Sequence, residues 1–272
     1  MADLDTIFVT HLHADHVADL YNFVNLAAFG VNDADDGVTK PFRVYGPASA
    51  GNLPPAPAGT PVVNPQNPVP GIVEFMDSMQ AANAYSHNLF IRDSGVPDPR
   101  TMVSVHQMAP PPAIGSSSLD TAPRMRPFQV YQDDLVTVSA TLVPHGPVYP
   151  SYALRFDTPT HSVVFSGDTA YSENLIELAH GADVLVHEVI DLSFYAEIGL
   201  TGALLDHLRE SHTDVSEIGG LAQRAQVSTL ALTHLVPGKP GARTIDQWRS
   251  KAAVGFTGNV VVGTDLACLG LV

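Results

Sequence analysis

Residues 11–16 read His-Leu-His-Ala-Asp-His, directly after the apolar run Ile7-Phe8-Val9-Thr10. Three imidazoles and a carboxylate at a strand end, followed by the helical Val17-Ala18-Asp19-Leu20, converge only if a turn aims them at one point. Metal ions are the natural occupant of such a turn. Zinc accepts neutral imidazole nitrogen and carboxylate oxygen at about 2.0–2.2 Å, and two ions a few ångströms apart can share a hydroxide that is nucleophilic at neutral pH. The one cysteine, Cys268, permits neither an intramolecular disulfide nor a thiolate-rich zinc site. Histidine and carboxylate must therefore carry any metal chemistry, and the 12 histidines become the residues to explain.

The chain of 272 residues is long enough for one large α/β domain with its own core. It has 28 acidic against 13 basic side chains, a formal charge of −15, and no basic grouping longer than the pair Arg124 and Arg126. General electrostatic binding of nucleic acid needs a clustered basic face, so composition argues against a nucleic-acid partner. No apolar stretch approaches the roughly 18 residues of a membrane span. The expectation is a protein with no membrane partner, placed in the cytoplasm by default. An export signal lost ahead of residue 1 would change that placement.

Nineteen of the 22 prolines lie between Pro41 and Pro150. The segment 52–70 is too proline-rich for helix or central strand. Gly71–Ser86 has apolar spacing suited to an amphipathic helix, and 94–126 reads as a second loop. A proline-rich insertion at about 51–127 is thus expected within a single domain spanning 1–272. Its own small core would comprise Phe75, Met76, Met79, Tyr85 and Phe90. From Phe128 onward short strands alternate with helices, the pattern of a layered α/β domain. Strands are expected at 128–131, 136–143, 152–156, 162–165, 184–186, 229–232 and 260–262, with helices at 172–180, 216–225 and 245–252.

Several later strands end on potential ligands. His145 follows Leu142-Val143-Pro144, Asp168 lies in Ser166-Gly167-Asp168-Thr169, and His234 follows Leu232-Thr233. Carboxyl ends of neighbouring strands are where α/β sheets place active sites. His212 ends the helix-like stretch Leu204–Glu210, and Glu188 ends Val186-His187-Glu188.

The order of these elements resembles the metallo-β-lactamase superfamily, in particular its ribonuclease Z-like branch, which also holds arylsulfatases and cyclic-nucleotide phosphodiesterases. The resemblance rests on HLHADH at 11–16, VPHG around His145, SGDT around Asp168, VHE at 186–188, SHTDVSEIGGLA from Ser211 and LTH ending at His234. It implies a four-layer αββα sandwich holding two Zn²⁺, with Mn²⁺ or Fe²⁺ as alternatives. His11, His13 and His145 would hold one ion, Asp15, His16 and His234 the other, with Asp168 bridging. A bridging hydroxide would attack the substrate and Asp15 would orient it or take its proton. His212, paired with Glu188, would protonate the leaving oxygen, because a carboxylate that favours imidazolium raises its pKa toward an acid's working range. His187 is expected to stabilise its turn. His87, His106, His161, His180 and His207 are expected to be solvated, with His87 or His106 as candidates to reach the site from the insertion. Asp183 and Asp265, beside strands, would satisfy backbone amides or imidazoles.

The chain departs from the family in two ways. Only ten residues precede His11, where the superfamily has several strands, so the N-terminal sheet is expected to be shortened and its edge covered by a homodimer partner or by the insertion. Between His145 and Asp168 only 22 residues intervene, too few for the long arm of the transfer RNA enzymes. The expected reaction is hydrolysis of a phosphodiester or aryl sulfate ester of a small molecule. The alternatives are a lactonase or β-lactamase acting on a carbonyl, and, from another class, a catalytically silent metal-binding module.

Overall fold

A computed structural model describes residues 4–29, 37–38 and 40–270, with 26–29 as backbone only. The chain divides into two compact units, Met1–Ala109 and Pro110–Val272.

The first unit is built on a three-stranded parallel sheet, in the order β1 (Thr6–Phe8), β2 (Phe42–Pro47), β3 (Val103–Met108). Its helices are α1 (Ala14–Val17), α2 (Leu20–Phe29), α3 (Ile72–Ala82), α4 (Ala84–Ser94) and α5 (Pro99–Met102). Phe42, Val44, Ile72 and Met76 are fully buried and pack with Val9, Val17, Tyr21 and Val24. Each such side chain contributes about 1.5–3 kcal/mol relative to exposure. This core takes in residues from the 51–127 segment. Val103-Ser104-Val105 alternates inward and outward and forms β3 in register with β2. Met76 belongs to the core of this sheet, while Tyr85 and Phe90 are 80% and 48% exposed. Between mostly exposed, proline-rich segments at about 51–70 and 109–127, the chain supplies α3, α4, α5 and β3 to the first unit. The apolar spacing from Gly71 also continues past Ser86, as two helices abutting at Asn83.

The second unit holds a seven-stranded mixed sheet in the order β10-β9-β8-β7-β6-β5-β4. Its strands are β4 (Phe128–Gln132), β5 (Thr137–Leu142), β6 (Tyr152–Asp157), β7 (Ser162–Phe165), β8 (Val184–Ile190), β9 (Thr229–Val236) and β10 (Asn259–Val262). The helices are α6 (Glu173–Ala179), α7 (Leu192–Glu197), α8 (Ala203–Ser211), α9 (Val215–Ala225) and α10 (Ile245–Ala252). Ser172 caps α6 by accepting the Leu175 N–H, as serine at a helix start is suited to do. Strand residues Val164, Leu185 and Leu230 pack with Leu175 and Leu178 of α6, Ile218 and Leu221 of α9 and Trp248 of α10. Gly219 permits the closest approach, since a Cβ there would lie 2.2 Å from the Val254 carbonyl. Asp183 accepts the Ser162 N–H at 2.7 Å, a backbone amide as expected.

Asp191, just beyond β8, ties later segments to the sheet end. It is 1% exposed, caps α7 through the Ser193 N–H at 3.1 Å, and accepts from Arg243 Nε and Lys251 Nζ, both at 2.6 Å. Burial pushes its carboxyl up, but Lys251, Ser193 and Arg243 outweigh this and hold it at about 2. A carboxylate depressed in the fold stabilises it fully above the unfolded value of about 3.9 and loses that contribution as pH falls through the folded value. Asp191→Asn should therefore cost roughly 2–3 kcal/mol at pH 7, a deficit that shrinks at pH 3. Urea melts of both proteins at the two pH values check this, and equal deficits would contradict it.

Candidate metal centre

In the first unit the motif gathers as the turn requires. His11 and His13 lie between β1 and α1, while Asp15 and His16 stand on α1. His11 is fully buried, and its Nδ1 lies 3.2 Å from Thr10 Oγ1, a pairing that turns Nε2 toward a ligand role. The rings of His13 and His16 lie 5.0 and 4.2 Å from that of His11, and His16 Nε2 is 3.5 Å from Asp15 Oδ2. Beside them opens a cleft of about 490 Å³, walled by Phe8, Leu20 and Phe23 and edged by Asp15, His16 and Asp19.

In the second unit strand direction does the gathering. β6 is antiparallel to both β5 and β7, and β7, β8 and β9 are mutually parallel, so β5, β7, β8 and β9 share one direction. His145, Asp168, Glu188 and His234 consequently meet at one edge of the sheet. Asp168 is reached through Gly167 at φ +59°, a conformation that glycine adopts without strain. His234 sits at a bulge: Glu188 pairs with Thr233 and Val189 with Leu235, leaving His234 as the extra residue at φ +43°. Such bulges re-aim a side chain. His234 Nε2 lies 3.5 Å from Asp168 Oδ2, and His145 Nε2 lies 3.9 Å from the same oxygen.

These donors fit a divalent ion. Nitrogen and oxygen bound tetrahedrally to one zinc at about 2.0–2.1 Å lie roughly 3.3 Å apart, close to the spacings here. His145 Nδ1–H donates to the Ser211 carbonyl at 2.7 Å, which leaves Nε2 as the basic nitrogen facing Asp168. Ligand atoms of His145, Asp168 and His212 all lie within 4.8 Å of one another, as do those of Glu188, His212 and His234.

Glu188 is 1% exposed and its Oε1 accepts two backbone N–H groups, from Thr169 at 3.2 Å and Thr213 at 3.1 Å. Its Oε2 faces His212 Nδ1 at 3.3 Å. Burial pushes the Glu188 carboxyl up, opposed by His212 and the Thr169 amide. His212 is the C-cap of α8, its ring stacked 5.7 Å from that of His234 and edge-on at 5.4 Å to that of His145.

His187, fully buried, donates Nδ1–H to the Glu188 carbonyl at 2.5 Å, and burial lowers its pKa to about 4, so it holds the turn as a neutral ring. His87 departs from expectation. It lies inside α4, buried, with Nε2 at 2.6 Å from Asn25 Oδ1 and 3.3 Å from Tyr21 Oη, because one face of α4 turns inward. His106 is exposed on β3 and stacks on Tyr45 at 4.7 Å.

Comparison with known proteins decides the family. The sequence pattern of the "Metallo-beta-lactamase superfamily" matches residues 2–87, and that of the "Beta-lactamase superfamily domain" matches 91–235. A "Ribonuclease Z" of Mycobacterium bovis is 31% identical over 271 residues, covering 97% of this chain and 79% of that protein. The chain belongs to the metallo-β-lactamase superfamily. A "Putative ribonuclease Z" of Mycobacterium tuberculosis is 30% identical and covers 96% of each chain. The crystal structure of human tRNase Z, short form, aligns with a TM-score of 0.54 at 17% identity, over 96% of this chain and 77% of that one, a likeness of fold alone. Membership makes the protein a metal-dependent hydrolase of α/β, metallo-β-lactamase fold. None of the described helices is long and apolar enough to cross a membrane. The names of the relatives weigh against the compositional argument against a nucleic-acid partner.

Proposed function

We propose that the chain is a single domain that would hold two metal ions: His11, His13 and His145 for one, Asp15, His16 and His234 for the other, Asp168 for both. Zinc suits these donors, with Mn²⁺ or Fe²⁺ as alternatives. The reaction is hydrolysis of a small phosphodiester or aryl sulfate ester. When bound, such an ion pair supplies a water-derived nucleophile at neutral pH and withdraws charge from the ester. Asp15 would orient that nucleophile or take its proton. Asp168 supplies the shared negative charge, and Ser211 fixes the tautomer of His145.

The observation that carries the reading is the Glu188–His212 pair beside Asp168 and His234. With Nδ1 toward Glu188, the imidazole presents Nε2–H as the acid for a leaving oxygen. Esters with poor leaving groups need that proton; strained lactones and β-lactams need it less. Charge favours a small substrate. Every one of the 13 Lys and Arg residues except Arg126 and Lys239 already faces a carboxylate, so little cationic surface remains for a polyanion.

The second reading, cleavage of an RNA phosphodiester, is favoured by the name ribonuclease Z borne by the relatives. A panel on zinc- and manganese-loaded protein decides: bis-nitrophenyl phosphate, nitrophenyl sulfate, a lactone, a cephalosporin and a 3′-extended transfer RNA. Turnover should be greatest on the phosphodiester or sulfate. Greater kcat/KM on the RNA would replace this reading with the second, preference for lactone or cephalosporin would assign carbonyl chemistry, and bound metal without any turnover would make the chain a silent binding module.

A further inference from the structure

We propose that Thr213 is a positioning residue, whose hydroxyl fixes the His212–Glu188 pair relative to the Asp168 loop; the inference rests on the hydrolase reading above. Thr213 is fully buried. Its Oγ1–H donates to the Thr169 carbonyl at 2.7 Å, its N–H donates to Glu188 Oε1 at 3.1 Å, and its carbonyl accepts the Ile190 N–H at 3.0 Å. Thr169 donates its own N–H to the same Glu188 oxygen at 3.2 Å. The residues just after Asp168 and just after His212 are therefore stitched twice, once directly and once through the shared carboxylate.

The preceding residues complete the arrangement. Ser211 accepts the Nδ1–H of His145, and Glu210 accepts the Gly146 N–H at 2.9 Å. Gly146 has φ +51°, and a Cβ there would lie 2.7 Å from Ser211 Oγ, so the His145 loop lies directly against this segment. Residues 210–213 thus touch the loops after β5 and β7 and the end of β8. Of these contacts the Thr213 hydroxyl is the one made by a side chain that neither binds metal nor moves a proton. Threonine suits the task because its branched Cβ restricts χ1. Valine keeps that shape but deletes the donor and leaves the buried Thr169 carbonyl short of it.

Thr213→Val, Thr213→Ala and Thr213→Ser are to be compared with the parent in metal content, in the absorption spectrum of the cobalt-loaded protein, and in kcat and KM on phosphodiesters with nitrophenyl and alkyl leaving groups. Thr213→Val is expected to lose about 10–100-fold in kcat on the alkyl ester, less on the nitrophenyl ester, with KM little changed and an altered cobalt spectrum. Thr213→Ser should restore both the spectrum and kcat to within about threefold. Thr213→Ala, which has no shape to clash, stands in if the valine variant fails to fold. A folded valine or alanine variant with the parent's spectrum and leaving-group dependence overturns the proposal, as does a serine variant no better than valine. Should the parent turn over none of the esters, the hydrolase reading fails separately, and the cobalt spectra of the three variants still decide whether the hydroxyl positions the site.

Discussion

Asp168→Ala is expected to lose at least one bound metal per chain and to lower kcat/KM on the preferred ester by on the order of 10³-fold or more. The reason is charge. Asp168 is 3% exposed, and the imidazoles of His145 and His234 approach the same oxygen at 3.9 and 3.5 Å. Without Asp168 the ion assigned to His11, His13 and His145 would meet neutral imidazoles alone, with no compensating negative charge in a buried setting, where an unpaired charge is costly. Asp168→Asn is the informative companion, because it keeps the shape and removes the charge. Elemental analysis after dialysis measures the metal, and steady-state kinetics measures the rest. An alanine variant that keeps two metals per chain and the parent's turnover would remove Asp168 from the centre.

The second large effect is expected at His212. Loss of a positioned general acid costs about 10²–10⁴-fold, and the cost should follow the leaving group. His212→Ala should approach the upper figure for an alkyl phosphodiester and fall below about tenfold for nitrophenyl esters, whose leaving oxygen departs without a proton. Glu188→Gln should reproduce the trend more weakly, since the amide keeps the Thr169 and Thr213 N–H bonds at its oxygen but no longer favours imidazolium. Equal losses for both leaving-group classes would deny His212 its proton and leave it a packing role.

Motifs local in sequence were legible, and features made by long-range pairing were not. HLHADH is six residues long and carries its own turn, so its convergence needed no knowledge of the sheet. The strands of the second unit alternate cleanly with helices, and β4 to β10 fall close to their expected places. The first unit was harder. β2, Phe-Arg-Val-Tyr-Gly-Pro, ends in a turn-like pair, and β3 lies among prolines, so neither carries a local strand signal; β2 is fixed by parallel pairing with β1, and β3 by parallel pairing with β2. The burial of His87 leaves no mark in the sequence, because a single imidazole on a polar-looking helix gives no sign of which face is inward. Thr213 was visible within SHT, yet its partner Thr169 lies 44 residues away and no spacing rule joins them.

The bulge at His234 has a consequence for which substitutions the site tolerates. A left-handed backbone at φ +43° excludes most side chains before their chemistry matters; outside glycine it is adopted most readily by Asn, Asp and His. Of these, only His and Asp make strong ligands for a divalent transition ion. Cysteine and glutamate, equally good donors in the abstract, would have to pay for the conformation first. The alphabet available at this position is therefore set by the backbone, and a variant that exchanges the His234 imidazole for a carboxylate should do so through aspartate.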